Sequence, residues 1–149
     1  MRIVIQRISE GNVKVKDKIT GSAKKGLLLL VGFEEDDNEE DLEYLAQKVL
    51  NLRIFEDEKQ KMNLSVLEIE GDILSISQFT LYGDVRKGRR PSFTQAAEPV
   101  KANKLYENFN EKLKESGLNV EMGVFGGDMK VSLINDGPVT ILMDSKKTF

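Results

Sequence analysis

The segment Gly26-Leu27-Leu28-Leu29-Leu30-Val31-Gly32 has no polar side chain between its two glycines. A run this short and this uniformly apolar is strand-sized, and it predicts a strand covered on both faces. The segments before it alternate instead. Residues 1–8 read as a strand that buries Ile3 and Ile5 and carries Arg7 near its end. Asn12-Val13-Lys14-Val15-Lys16 should turn its valines inward and its lysines to water.

Two helices follow from spacing. Leu42, Leu45, Ala46, Val49 and Leu52 make one apolar stripe, with Asn38 or Asp37 as its cap. Ala102, Leu105, Tyr106, Phe109 and Leu113 make the second, with Pro99 in its first turn and Gly117 past its end. Leu52-Arg53-Ile54-Phe55 looks like another strand, and the last third is again β. There Val120/Met122/Val124, Met129/Val131/Leu133 and Val139/Ile141/Met143 alternate, punctuated by Gly126-Gly127 and Asn135-Asp136-Gly137-Pro138. The expected fold is α+β: a single domain over residues 1–149, with a mostly antiparallel, curled or barrel-like sheet and two helices.

The stretch Ser75-Ile76-Ser77-Gln78-Phe79-Thr80 starts as an alternating strand, but each of its faces turns polar or aromatic toward the C-terminal end. Strand ends beside loops are where sites tend to be built; the alternative is an edge strand whose hydroxyls face water. The chain has neither His nor Cys, which excludes Ser-His and Cys-His pairs and any His- or Cys-ligated zinc. Catalysis must then rest on Thr, Ser, Lys, Tyr, carboxylates, backbone amides or the substrate itself. The acids form no Asp-x-Asp loop, so no metal and no cofactor is expected.

Net charge is −3, but Glu34 to Asp41 contributes seven acids and no base, so the remainder sums to −3 + 7 = +4. The acidic run suits the positive end of the first helix dipole. The basic cluster Arg86-Lys87-Gly88-Arg89-Arg90 directly follows the polar strand end. It is either a solvated turn or, through Arg86, Lys87, Arg89 and Arg90, a contact for nucleic-acid phosphates. No apolar run approaches membrane-span length, the N-terminus lacks a signal-peptide pattern, and the absence of Cys is compatible with the cytoplasm.

Three motifs stand in order: Ser77-Gln78-Phe79-Thr80, the basic segment Arg86 to Ser92, and Asn135-Asp136-Gly137-Pro138-Val139-Thr140. With Met1 to Arg7 and Asn51-Leu52-Arg53-Ile54-Phe55, they resemble the D-aminoacyl-tRNA deacylase family over essentially the whole chain. The resemblance implies a cytoplasmic homodimer, with active sites at the subunit interface, that hydrolyses the ester between a D-amino acid and the tRNA 3′ end. It implies that Ser77, Gln78, Phe79 and Thr80 line the catalytic pocket, with amides around Phe79 and Thr80 contacting the aminoacyl-adenosine. Gly137 and Pro138 match the family's Gly-cis-Pro motif, which one subunit inserts into its partner's site to reject L-esters. Arg7 matches a position that holds that loop, and Met129 a hydrophobic residue beside the pocket. One position departs: Gly127 stands where the family usually has alanine, loosening the backbone next to Met129.

An aminoacyl ester is already activated, which fits a chain without histidine. Thr80 as nucleophile would need a base. Backbone amides that position the ester and its oxyanion, assisted by the neighbouring ribose 2′-hydroxyl, are the favoured chemistry. The rival readings are a non-catalytic tRNA-binding module and a hydrolase of another small ester.

Overall fold

The computed structural model describes residues 1–149, and its elements run in the order β1 (Arg2–Val15), β2 (Lys18–Ala23), β3 (Gly26–Gly32), α1 (Glu39–Asn51), β4 (Phe55–Glu56), β5 (Met62–Leu64), β6 (Asp72–Ser77), α2 (Pro99–Lys114), β7 (Val120–Met122) and β8 (Met129–Asp144). The long β1 organises the sheet. Its first half pairs antiparallel with β3 and its second half with β2, while β8 runs antiparallel along its other edge. β3 pairs parallel with β6, and β6 parallel with β7. Each parallel step needs a long crossover, and α1 and α2 lie in the two crossovers. The ends of the sheet then approach each other: a Cβ placed on Gly21 in β2 would lie 2.9 Å from the carbonyl oxygen of Met122 in β7. The result is a curled, nearly closed sheet with two helices, as expected.

The apolar strand β3 is covered on both faces. Leu27, Leu29 and Val31 enter the larger core with Ile3, Ile5 and the helix stripes, including Leu42, Leu45, Tyr106 and Phe109. Leu28 enters a second core inside the curl with Ile8, Val13, Ala23, Leu74 and Ile76. Each fully buried leucine contributes roughly 1.5–3 kcal/mol over its exposed state, which is why this strand tolerates no polar position.

Helix α1 starts with a capping box. The Asn38 side chain accepts from Glu40 N–H at 2.8 Å, and Asp41 accepts from Asn38 N–H at 3.0 Å. Asp37 is not the cap; its buried carboxylate takes the N-terminal ammonium of Met1 instead. All five residues of the second helical stripe are buried.

Four expectations change. The two strands expected within residues 1–16 are one strand, β1, bent by irregularities around Ile8. The punctuation at Asn135-Asp136-Gly137-Pro138 lies within β8 rather than between strands. Leu52-Arg53-Ile54-Phe55 yields only the two-residue β4, paired with β5 in a small separate ribbon. Phe79 and Thr80 do not extend β6, because the strand ends with its partner. Gln78 N–H donates to Val31 O at 2.7 Å near the end of β3, and the chain then tightens into a 3₁₀ turn over Phe79–Tyr82.

Candidate active site

β6 lies between β3 and β7 as far as Ser75, so it is no edge strand there; beyond Ser75 only β3 pairs with it. Ser75 is fully buried, and its carbonyl accepts the Tyr106 hydroxyl at 2.7 Å and Gly123 N–H at 2.9 Å. These bonds fix the last strand residues against α2 and β7. The turn beyond them is closed by Leu81 N–H to Gln78 O at 3.3 Å and Gly83 N–H to Thr80 O at 3.0 Å. As the first residues of a 3₁₀ turn, Phe79 and Thr80 have N–H groups with no acceptor inside it. Both residues are exposed, Phe79 by 59%. The arrangement offers two adjacent main-chain donors at the surface, the type of group that stabilises a developing oxyanion.

The Thr80 hydroxyl is engaged by the Gln78 side-chain amide and by no carboxylate or amine. An amide is not a base at neutral pH, so nothing here would take the threonine proton. Tyr82 ends the turn and Tyr106 lies against the strand before it, and burial raises the pKa of both, Tyr106 to about 12 and Tyr82 higher still. They remain protonated phenols near neutrality. No group of three or more acidic side chains converges as a metal site would require.

Met129 opens β8 against Gly123, where an added Cβ would meet its sulfur at 2.6 Å and Ile76 Cδ1 at 3.2 Å. The structure therefore brings Met129 to Gly123 and Ile76, near the C-terminal end of β6. Gly127, the departing position, closes a turn by donating to Val124 O at 3.0 Å.

Arg7, Gly137 and Pro138 form a second group. Arg7 is buried, and its guanidinium donates to Ile54 O at 2.7 Å and to Asp136 O at 3.2 Å. The Asp136 carboxylate lies 3.5 Å from it. Gly137 has φ +120°, and a Cβ there would meet Arg7 Nη2 at 2.8 Å, so only glycine fits. The Gly137-Pro138 peptide bond is cis, and both residues are exposed. This group is not beside the first. Arg7 pairs with Leu27 and Leu27 with Ile73, whereas Ser77 stands four residues further along β6, and β8 is three strands away. Strand rise and spacing put the two groups about 20 Å apart along the sheet.

The basic segment is rooted next to the turn by Asp84 N–H to Ser92 O at 2.7 Å and Ser92 N–H to Asp84 O at 2.9 Å. The four bases are not equivalent. Arg86 is occupied by Asp84, at 2.7 and 2.9 Å, and this pairing holds the Asp84 carboxyl down to about 2. Lys87, Arg89 and Arg90 are exposed and form no ion pair. Two supporting residues escaped the sequence reading. Phe93 packs edge-on against Phe79, centroids 5.0 Å apart. Arg2 donates to Leu81 O at 3.2 Å and lies 4.5 Å from the Tyr82 ring centre. Neither carries a local signal, since each acts through a contact distant in sequence.

Fold and candidate site together define a class: a curled α+β sheet with two crossover helices and an exposed 3₁₀ turn at the end of a strand, in a chain without histidine, cysteine or a cluster of metal-binding side chains. Residues 4–144 match the family described as D-Tyr-tRNA(Tyr) deacylase. Among curated proteins, the D-aminoacyl-tRNA deacylases of Thermosipho melanesiensis and Thermotoga petrophila are 61% and 60% identical, covering all of this chain and all of each relative. Among solved structures, the c-Myc DNA Unwinding Element Binding Protein superposes with TM-score 0.91 at 37% identity, covering 97% of this chain and 98% of the other. A probable eukaryotic D-amino acid tRNA deacylase superposes with TM-score 0.83 at 23% identity over 95% and 97%, a likeness of fold. The chain belongs to the D-aminoacyl-tRNA deacylase family, a family of ester hydrolases. No helix in it is long and apolar enough to cross a membrane.

Proposed function

We propose that this chain, as a cytoplasmic homodimer, hydrolyses the ester joining a D-amino acid to the 3′ end of tRNA. Water adds to the ester carbonyl, the bond to the ribose oxygen breaks, and that oxygen takes a proton, releasing free D-amino acid and tRNA. The Phe79 and Thr80 amides hold the carbonyl oxygen as its charge grows, and the ribose 2′-hydroxyl supplies the assistance no side chain offers. Ser77, Gln78 and Met129 shape the pocket. No cofactor takes part.

The observation that carries this reading is the separation of two exposed groups on one chain, about 20 Å apart along the sheet: the amide pair and the Gly137-Pro138 loop. A twofold axis lets each loop reach the other copy's turn, because a symmetric interface presents the same patch from both subunits. Ile134 and Leu142, 54% and 57% exposed on β8, suit burial against such a partner. Gly137 and Pro138 then fill the space an L side chain needs, since D- and L-esters carry identical groups and only an obstacle separates them well. Glycyl-tRNA has no side chain to collide, so it is hydrolysed too.

The test is deacylation of matched D-, L- and glycyl-tRNA by purified protein, with and without chelator. Expected is turnover of the D- and glycyl-esters alone, unchanged by chelator. Intact glycyl-tRNA beside cleaved D-ester would replace exclusion by a specific side-chain pocket. A second reading draws on the unpaired Lys87, Arg89 and Arg90 and on the solved relative named for DNA binding. It makes the chain a tRNA-binding module without catalysis, and binding without turnover in the same assay would favour it.

A further inference from the structure

We propose that Asn135, fastened by Thr140, is a positioning residue that sets chiral discrimination by closing the neck of the Gly137-Pro138 loop. The inference rests on the deacylase reading above. Along the β1–β8 ladder Ile8 pairs with Asn135 and Gln6 with Thr140. Asp136, Gly137, Pro138 and Val139 thus face only Arg7, and the excess chain must bulge outward. A bulge forfeits ladder hydrogen bonds and leaves its neck free to spread.

Asn135 makes good that loss. Its Nδ2 donates to the carbonyl of Arg7 on β1 at 3.0 Å and to that of Val139 at 2.9 Å, beyond the loop. One amide therefore ties the near end of the loop, its far end and the neighbouring strand. The amide is itself oriented: Oδ1 accepts the Thr140 hydroxyl at 3.2 Å, and Thr140 Oγ1 accepts from Gln6 Nε2 at 3.4 Å. Both donors of Asn135 and its acceptor are used, a pattern only an amide of this length completes. Arg7 grips the loop from beneath through Asp136 O, and Asn135 closes it from the side. Asn135 is half-buried and its amide is spent on Arg7 O, Val139 O and the Thr140 hydroxyl, so it acts through the loop rather than on a reacting atom. An obstacle that excludes by position fails when it shifts by an ångström or so, and misplacements of that size change rates about 10²-fold.

The experiment measures the ratio of D- to L-aminoacyl-tRNA turnover, with a thermal melt for each variant. Asn135→Ala should lower the ratio at least tenfold, chiefly by admitting the L-ester. Thr140→Val keeps the shape but removes the hydroxyl that orients the amide, and should lower it about threefold. Thr140→Ser should restore it to within twofold. If Asn135→Ala does not fold, Asn135→Asp takes its place, because it keeps the acceptor for Thr140 and lacks the two donated bonds. A folded Asn135 variant with a ratio within twofold of wild type overturns the proposal and leaves the deacylase reading standing. Wild-type protein that cleaves both esters alike, or neither, defeats that reading and this proposal with it.

Discussion

At the end of β6 the chain keeps its shape chiefly through its own backbone, with Arg2 adding one side-chain bond to Leu81 O. Gln78 N–H reaches Val31 O, Leu81 N–H reaches Gln78 O, and Gly83 N–H reaches Thr80 O, at 2.7, 3.3 and 3.0 Å. Across the sheet, the Asp136–Pro138 loop is held by side chains instead: Arg7 from beneath and Asn135 at the neck. A turn shaped by main-chain bonds survives changes of side chain, whereas a clamped loop fails with its clamp. Substitutions should therefore be costly at Arg7 and Gly137 and mild at Thr80.

Arg7→Ala should do most. It leaves the carbonyls of Ile54 and Asp136 without donors and opens a hole where a buried guanidinium stood. The expected loss is about 2–4 kcal/mol of stability, read by urea titration, with D-ester turnover falling on the order of a hundredfold. Turnover near wild type in the folded variant would show that the loop does not depend on this clamp. Gly137→Ala comes next. At φ +120° a Cβ is strained and meets Arg7 Nη2 at 2.8 Å and Val139 Cγ2 at 2.9 Å. Expected are a cost of about 1–3 kcal/mol and roughly tenfold slower D-ester cleavage in the same assays.

The two halves also differed in how much of them the sequence revealed. The double cover of β3, the second helix stripe, the first stripe apart from Leu52, which caps the end of α1, and the Pro99 start were legible because periodicity reports which side of an element is buried. The parallel β3–β6 and β6–β7 pairings were not read, although strand, helix and strand alternate there, because the alternating runs at either end suggested an antiparallel sheet throughout. Ser77 to Thr80 could be located as a polar strand end, but the 3₁₀ turn that leaves two amides free depends on where β3 stops. Asn135 to Pro138 looked like punctuation because Asn, Asp, Gly and Pro are turn residues. Their place inside a continuous β8 depends on the long β1 beside it.

The basic segment stands outside both halves and sharpens the contrast, since its role would be pure charge. Three of its four bases are free, so replacing Lys87, Arg89 and Arg90 by alanine should reduce the slope of log K against log salt by about 2–3. Arg86→Ala alone should change it little. Asp84 carries a depressed pKa of about 2, so it stays ionised and paired with Arg86 until pH falls toward that value. Asp84→Asn should release Arg86 at neutral pH and steepen the slope by about one. An unaltered slope in the triple variant would return the segment to a solvated turn.

Thr80→Ala should have the smallest effect, and it tests the main-chain half most directly. The hydroxyl bonds only to the Gln78 amide, which cannot take its proton, whereas the Thr80 N–H persists in alanine. If that N–H and its neighbour at Phe79 hold the oxyanion, turnover should stay within about threefold of wild type, because the rate-determining donors are untouched. Loss of a nucleophile behaves otherwise: it costs orders of magnitude, and the wild type passes through an acyl-enzyme. The discriminating measurement pairs the variant with a tRNA lacking the terminal 2′-hydroxyl. A mild Thr80→Ala and a severe loss on the deoxy substrate assign the assistance to the RNA. A severe Thr80→Ala with a trapped acyl-threonine in the wild type assigns it to the protein, and the comparison between a main-chain half and a side-chain half then fails at its first term.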